Sequence, residues 1–239
     1  MERLELCDER GRPLGRERPR ELVHRDGDWH RAFHCWVVTQ RPPHPLSGRQ
    51  RGDFGGGQAP ALRVRGPHLV LQRRSLEKET WPGLWDVSVG GHYRAGEGID
   101  GGLREIGEEL GLVVCAEELL HVGWRREEVF YPNGLIEREI QDMYFLHRDV
   151  QAVELRPEPA EVTAVALVPA WAIGPLSAGR LESIQASGAE LDPRGHLAEA
   201  LFTLRPPELV PRAGDYYGKI GRFAQRWAEA PGRVRRRWW

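Results

Sequence analysis

Apolar positions along the chain fall into short runs of β character broken by turn residues, with one helical stripe in the middle. Leu4-Glu5-Leu6-Cys7 alternates as a short strand, and Gly11 with Pro13 supplies the polar turn after it. Residues 33–39 and 69–73 read as two further strands. Between them, 40–67 is rich in Pro, Gly and Arg and contains Gly55-Gly56-Gly57. So few apolar residues do not repay ordering, which predicts a long, exposed, partly mobile loop inside a hairpin and not a domain boundary. Residues 86–89 predict another short strand before Gly90-Gly91. Over 103–112 the period changes: Leu103, Ile106 and Leu110 share one side while Arg104, Glu105, Glu108 and Glu109 take the other, the spacing of an amphipathic helix that Gly111 closes. Strands follow at 119–125, 143–147 and 162–168, and helices at about 195–204 and 215–230.

Strands, one helix, more strands and then helices predict an α+β fold with a mixed sheet, an N-terminal hairpin and a C-terminal helical extension, and not a regular βαβ repeat. At 239 residues, 40% hydrophobic and 29% charged, the chain has the means to close a core as a single domain over 1–239. Its core is expected at about 30–170 and the helical extension at about 171–239. Lys and Arg total 34 against 35 Asp and Glu, so no global basic field argues for nucleic acid. The Arg/Trp tail at 233–239 is weak evidence for RNA on a neutral protein. No apolar run approaches the roughly 18 residues of a membrane span, and the charged first 25 residues leave no signal-peptide core. Cys7, Cys35 and Cys115 are odd in number and far apart, which fits a reducing cytoplasm. All but two of the basic side chains are arginines, a bias we assign to codon composition.

The chemistry concentrates between Gly90 and Leu112. On a helix, Glu105, Glu108 and Glu109 stand at i, i+3 and i+4, so three carboxylates share one face and repel. A hard divalent cation removes that repulsion, because Mg²⁺ takes several oxygens and shares them with phosphate. Gly90-Gly91 lets the backbone bend a carbonyl toward the same ion, and Arg104 can hold a carboxylate in a bidentate pair, with Glu97 the obvious partner.

From Gly91 to Leu112 this stretch resembles the Nudix box, G-x5-E-x7-R-E-U-x-E-E-x-G-U with U aliphatic. Between Glu97 and Arg104 stand six residues where the pattern has seven. The shortening bears on the Glu97–Arg104 pairing more than on the metal face, and Asp100 is placed to cap the helix. Leu71 to Ser75, Lys78, Trp81 to Asp86, the following Gly90-Gly91-His92, and Trp29 to His34 resemble the Nudix subgroup related to isopentenyl-diphosphate isomerase.

The resemblance implies an α/β/α sandwich around a mixed sheet and a Mg²⁺- or Mn²⁺-dependent attack of water on a diphosphate linkage. It implies Glu105, Glu108, Glu109 and the Gly90 carbonyl as metal ligands, with Glu105 as ligand or water-orienting base and Arg104 beside them. The general base varies across the family, and Glu139 and Glu161 are the outside candidates. Arg31, Arg73, Arg74, Lys78 and His92 are candidates for binding the substrate. His30 and His34 read as structural or loosely substrate-facing. The expected partner is a small-molecule diphosphate; many small hydrolases of this family dimerise, so a homodimer belongs to the expectation.

The isomerase needs an acid/base cysteine after the Trp-Pro-Gly segment, followed closely by a metal-binding histidine. Here 86–92 reads Asp-Val-Ser-Val-Gly-Gly-His, without cysteine, so hydrolysis is the expected reaction. A Nudix fold kept as a ligand-binding module is the reading outside enzymes.

Overall fold

The computed structural model describes residues 2–41 and 66–229. Its strands are β1 (Arg3–Cys7), β2 (Pro13–Pro19), β3 (Trp29–Thr39), β4 (His68–Arg74), β5 (Trp85–Asp86), β6 (Val89–His92), β7 (Leu119–Phe130), β8 (Ile136–His147), β9 (Val162–Pro169), β10 (Ile184–Leu191) and β11 (Leu197–Leu204). Its helices are α1 (Arg20–Asp26), α2 (Ile99–Leu110), α3 (Ala170–Ser177) and α4 (Tyr216–Glu229). The chain is α+β, as expected. The described residues form two compact units, one from 2–37 and 87–147, the other from 38–41, 66–86 and 148–229.

In the first unit, β1 and β2 make the expected N-terminal hairpin, and β1 joins β3 through Leu6 opposite His30. β6 lies antiparallel to β3, with Ala32 opposite His92 and Cys35 opposite Val89. β7 and β8 pair antiparallel from Leu119 opposite Leu146 to Phe130 opposite Ile136, and β8 also borders β3. Nearly every residue of β3 after Arg31 is buried, which is why its sequence is a continuous apolar run and not an alternation. Phe33 and Trp36 are wholly buried; burying a side chain of that size contributes about 3 kcal/mol or more. Helix α2 seats Ile106 and Leu110 in this core.

In the second unit, β4 pairs with β9 from His68 opposite Pro169 to Arg74 opposite Val162, and β9 continues through β10 to β11. Helices α3 and α4 cross where Gly174 meets Gly218 so closely that a Cβ on Gly174 would stand 2.8 Å from the Gly218 Cα.

Three expectations need correction. Residues 195–204 do not form a helix; 197–204 are strand β11, paired with β10 over eight residues. The region 171–239 is therefore not a purely helical extension, although α4 confirms the helix expected at 215–230. The strand expected at 86–89 is broken: Asp86 ends β5 and Val89 begins β6. Asp100 does not cap α2, because Gly98 occupies the N-cap and Asp100 lies inside the first turn. Most of the expected loop (42–65) and the Arg/Trp tail lie outside the described residues. No described helix is long and apolar enough to cross a membrane.

Candidate active site

The metal face is built by α2 against β6. Glu109 is almost wholly buried, and its Oε2 accepts the Gly90 amide hydrogen at 2.8 Å, tying the helix to the strand. Glu105 is buried one turn earlier, directly over Gly91. A Cβ at position 91 would stand 2.2 Å from the Glu105 carboxyl carbon, so only glycine leaves room for that carboxylate. Glu108, half-buried, completes the face.

Arg104 holds these carboxylates together. Its Nη1 donates to Glu105 at 2.9 Å and to Glu108 at 3.0 Å, while Nη2 donates to Glu97 at 3.0 Å and Nε reaches Glu97 at 3.3 Å. The Glu97–Arg104 pair thus forms despite the shortened loop. Burial pushes the Glu105 carboxyl up to about 7, against the lowering influence of Arg104. Burial would also raise Glu97, but hydrogen bonds from Arg104 and the Arg94 amide outweigh it and hold it below the ordinary carboxylate range. The raised Glu105 carboxyl and the doubly engaged Arg104 ease the repulsion among the three carboxylates. The donor set fits a hard divalent ion, since Glu105, Glu108, Glu109 and the Gly90 carbonyl are all oxygens.

A second cluster in the same unit brings together residues distant in sequence. The rings of His24, His30 and His92 stand 5.0–5.2 Å apart, and their ligand atoms lie within 4.8 Å of one another. His92 Nε2 meets Glu139 Oε1 at 3.0 Å, and His92, Glu137 and Glu139 form an overlapping group. His30 Nδ1 is 3.0 Å from the Asp28 carbonyl, which assigns the proton there and turns the Nε2 lone pair inward. Glu139 also accepts from Gln141 Nε2 at 2.6 Å. Among the described residues, the buried Nε2 atoms of His24 and His30 have no hydrogen-bond partner. Burial first, then His92 and His30, lowers His24 to about 2, so it stays neutral. Orphaned imidazole nitrogens beside a carboxylate are a costly arrangement unless they ligate something, and the set suits a borderline divalent metal.

Of the residues singled out in the sequence, the first unit thus gathers Gly90, Arg104, Glu105, Glu108 and Glu109 at one centre, and His92 with Glu139 at the other. Arg31 is bidentate to Asp142 at 2.6 and 2.8 Å. The second unit holds Arg73, Arg74, Lys78 and Glu161, each engaged there. Lys78 pairs with Glu161, Arg73 with Glu190, and Arg74 bonds the Thr80 carbonyl at 2.9 Å and Asp86 at 3.4 Å. Sequence reasoning did not single out His24, Glu137 or the ligand character of His30. His24 and His30 stand six residues apart and more than 60 from His92, with Glu137 on a later strand, so they give no local motif; the pairing of β3 with β6 brings His30 toward His92, and β8, which borders β3, carries Glu137.

The chain is similar to known proteins over most of its length. Residues 58–187, more than half of the chain, match the NUDIX domain. An uncharacterized Nudix hydrolase of Clostridium acetobutylicum is 28% identical over 214 residues, covering 90% of this chain and 92% of that protein. The isopentenyl-diphosphate Delta-isomerase of Paenarthrobacter aurescens is 33% identical over 163 residues, covering 67% and 72%. A crystal structure from Deinococcus radiodurans aligns over 74% of this chain and 90% of that one, with 22% identity and a TM-score of 0.45. The chain belongs to the Nudix family.

Proposed function

We propose that this protein is a cytoplasmic, Mg²⁺- or Mn²⁺-dependent pyrophosphohydrolase that cleaves the diphosphate linkage of a small organic or nucleoside diphosphate derivative. The observation that carries the reading is the carboxylate face, with Glu105 over Gly91 and Glu109 bonded to the Gly90 amide. In this reading Glu105, Glu108, Glu109 and the Gly90 carbonyl hold the cation. When bound, the ion screens the charge of the diphosphate and lowers the pKa of water.

The chain's own residues do the rest. Arg104 positions Glu105 and Glu108 from behind, and Glu97 fixes Arg104. Glu105, whose burial favours the protonated form, is suited to taking a proton from water near neutral pH once its burial cost is offset. Glu139, the alternative base, is held by His92 and Gln141. His24, His30, His92, Glu137 and Glu139 would hold a second divalent ion.

That histidine cluster is also the observation that favours a second reading, isomerisation of an isopentenyl-type diphosphate. Against it stands the missing thiol. Among the described residues, the cysteine nearest in register is Cys35, opposite Val89; it is wholly buried, and burial drives its thiol far above the ordinary range.

The deciding experiment follows phosphate or pyrophosphate release from nucleotide, sugar-nucleotide, coenzyme and prenyl diphosphates, with Mg²⁺, Mn²⁺ and EDTA in parallel. Release abolished by EDTA and by Glu109→Gln supports hydrolysis. A shifted double bond in an intact prenyl diphosphate, seen by NMR, would replace it with isomerisation.

A further inference from the structure

The first unit contains a cavity of about 140 Å³ whose wall includes Glu97. Since Arg104 bonds Glu97 on one side and Glu105 and Glu108 on the other, the cavity and the carboxylate face are one guanidinium apart.

Its lining has a definite chemistry. Tyr93 from the box loop and Tyr144 from β8 border the space, and their hydroxyls hydrogen-bond each other. Phe33 backs both rings, with centroids 5.1 Å from Tyr144 and 6.2 Å from Tyr93. Opposite chemistry comes from Asp142, whose side chain is 4% exposed, and from Arg31, bidentate to it. One nitrogen of Arg31 makes both of those bonds, so both residues line the space with N–H groups and carboxylate lone pairs to spare.

Size and polarity together select the occupant. An engineered cavity of about 150 Å³ accepts benzene, so this half-open one holds a single six-membered ring, and the second ring of a purine would project out of it. An isoprenoid tail of five carbons would enter by volume, but it would strip water from Asp142, Arg31 and the tyrosine hydroxyls and give nothing back. A ring that carries N–H donors and carbonyl acceptors on its edge satisfies both sides: the carboxylate takes an amino or imide hydrogen, as acidic side chains take the cytosine amino group, and Arg31 donates to a ring carbonyl. The tyrosines supply the aromatic surface.

We propose that this cavity is the base subsite of the carboxylate face and that it takes the pyrimidine ring of a nucleoside diphosphate or of its derivatives. The proposal deepens the hydrolase reading and rests on it. It also gives Arg31, a substrate-binding candidate from the sequence, a part in base recognition beside Asp142.

The test separates binding from turnover. Calorimetry on the full chain with Mg²⁺ would compare non-cleavable α,β-methylene analogues of CDP, UDP, ADP and GDP and a prenyl diphosphonate. The expected result is binding of the pyrimidine analogues about tenfold or more tighter than the others. Tyr144→Phe, which keeps the ring and removes only a hydroxyl, and Asp142→Asn should each erase most of that preference. Should Asp142→Asn fail to fold, Tyr144→Phe still carries the test. Equal affinity for purine and pyrimidine analogues, or a preference untouched in folded Tyr144→Phe, overturns the subsite and leaves the hydrolase reading standing. Selective pyrimidine binding with no metal-dependent cleavage of CDP or UDP upholds the subsite as a binding site and overturns the hydrolase reading.

Discussion

Glu97 and Arg104 meet through two hydrogen bonds, at 3.0 and 3.3 Å, across six intervening residues. The shortened connection is absorbed at the start of α2, where Gly98 takes the N-cap without a side-chain cap bond and 101–102 are both glycine. A Cβ on Gly102 would stand 2.4 Å from the Phe33 ring, so the small residues let the helix approach β3 closely enough to bring Arg104 back to Glu97.

Arg104→Ala should therefore disable the site without touching substrate. With Arg104 gone, Glu105 and Glu108 lose a shared donor and Glu97 a bidentate one. Removing a group that orients metal ligands typically costs about 10–100-fold in metal affinity or activity. We expect a loss in that range in both, measured by metal titration and by turnover. Arg104→Lys should recover only part of it, because an ammonium cannot span two carboxylates in a plane. Full activity in Arg104→Ala would show that the guanidinium is dispensable.

Gly91→Ala places a methyl group where the Glu105 carboxylate lies. Overpacking of this kind costs about 1–3 kcal/mol, and the carboxylate is the part that must move. Expected outcomes are a lower melting temperature and a weakened affinity for Mn²⁺, followed by calorimetry. A Cβ at Gly90 would meet Val87 at 3.1 Å and then His34 at 3.7 Å, so the effect of Gly90→Ala on Mn²⁺ should be the smaller of the two.

The metal-free chain should grow less stable as pH rises through neutrality. Glu105 is raised from 4.5 to about 7 in the folded protein, chiefly by burial. The folded state then binds the proton more tightly than the unfolded one. Its contribution is fully present below about pH 4.5 and is lost as pH rises through about 7, a change on the order of 3 kcal/mol. Unfolding in EDTA at pH 5 and pH 8 measures it, and Glu105→Gln should flatten the difference. An unchanged slope in that variant would remove Glu105 as the cause.

Much of this site could be read from sequence because it is local. Glu105, Glu108 and Glu109 are fixed on one face by helical period alone, and Gly111 ends the helix in the left-handed region, φ 67°, as expected. What escaped is non-local or ambiguous in period. Leu197, Leu201 and Leu204 fall at i, i+4 and i+7, the spacing of a helix stripe, yet they belong to β11. The deciding signal was the turn Asp192-Pro193-Arg194-Gly195, in which Asp192 Oδ1 accepts the amides of Arg194 and His196 and Gly195 takes φ 77°. Read as a hairpin turn, it would have paired 184–191 with 197–204. The histidine cluster had no such local sign, since His24, His30 and His92 come from a helix and two strands.

That cluster yields the last prediction. Among the described residues, the buried Nε2 atoms of His24 and His30 have no hydrogen-bond partner, His30 is oriented by the Asp28 carbonyl, and Glu139 reaches His92 at 3.0 Å. Three imidazoles and a carboxylate converging on one point are the donor set of a divalent transition metal, whereas the all-oxygen face on α2 suits Mg²⁺. The full chain, metal-stripped and then reloaded with Co²⁺, should bind two ions per chain, one with imidazole ligation visible in its d–d absorption. His30→Phe, close in volume, should remove that ion and its spectrum while leaving the second ion in place. Glu109→Gln should do the reverse. Loss of both ions in either variant would mean that the two groups hold a single shared centre, and one ion per chain in the wild type would mean that the orphaned nitrogens ligate nothing.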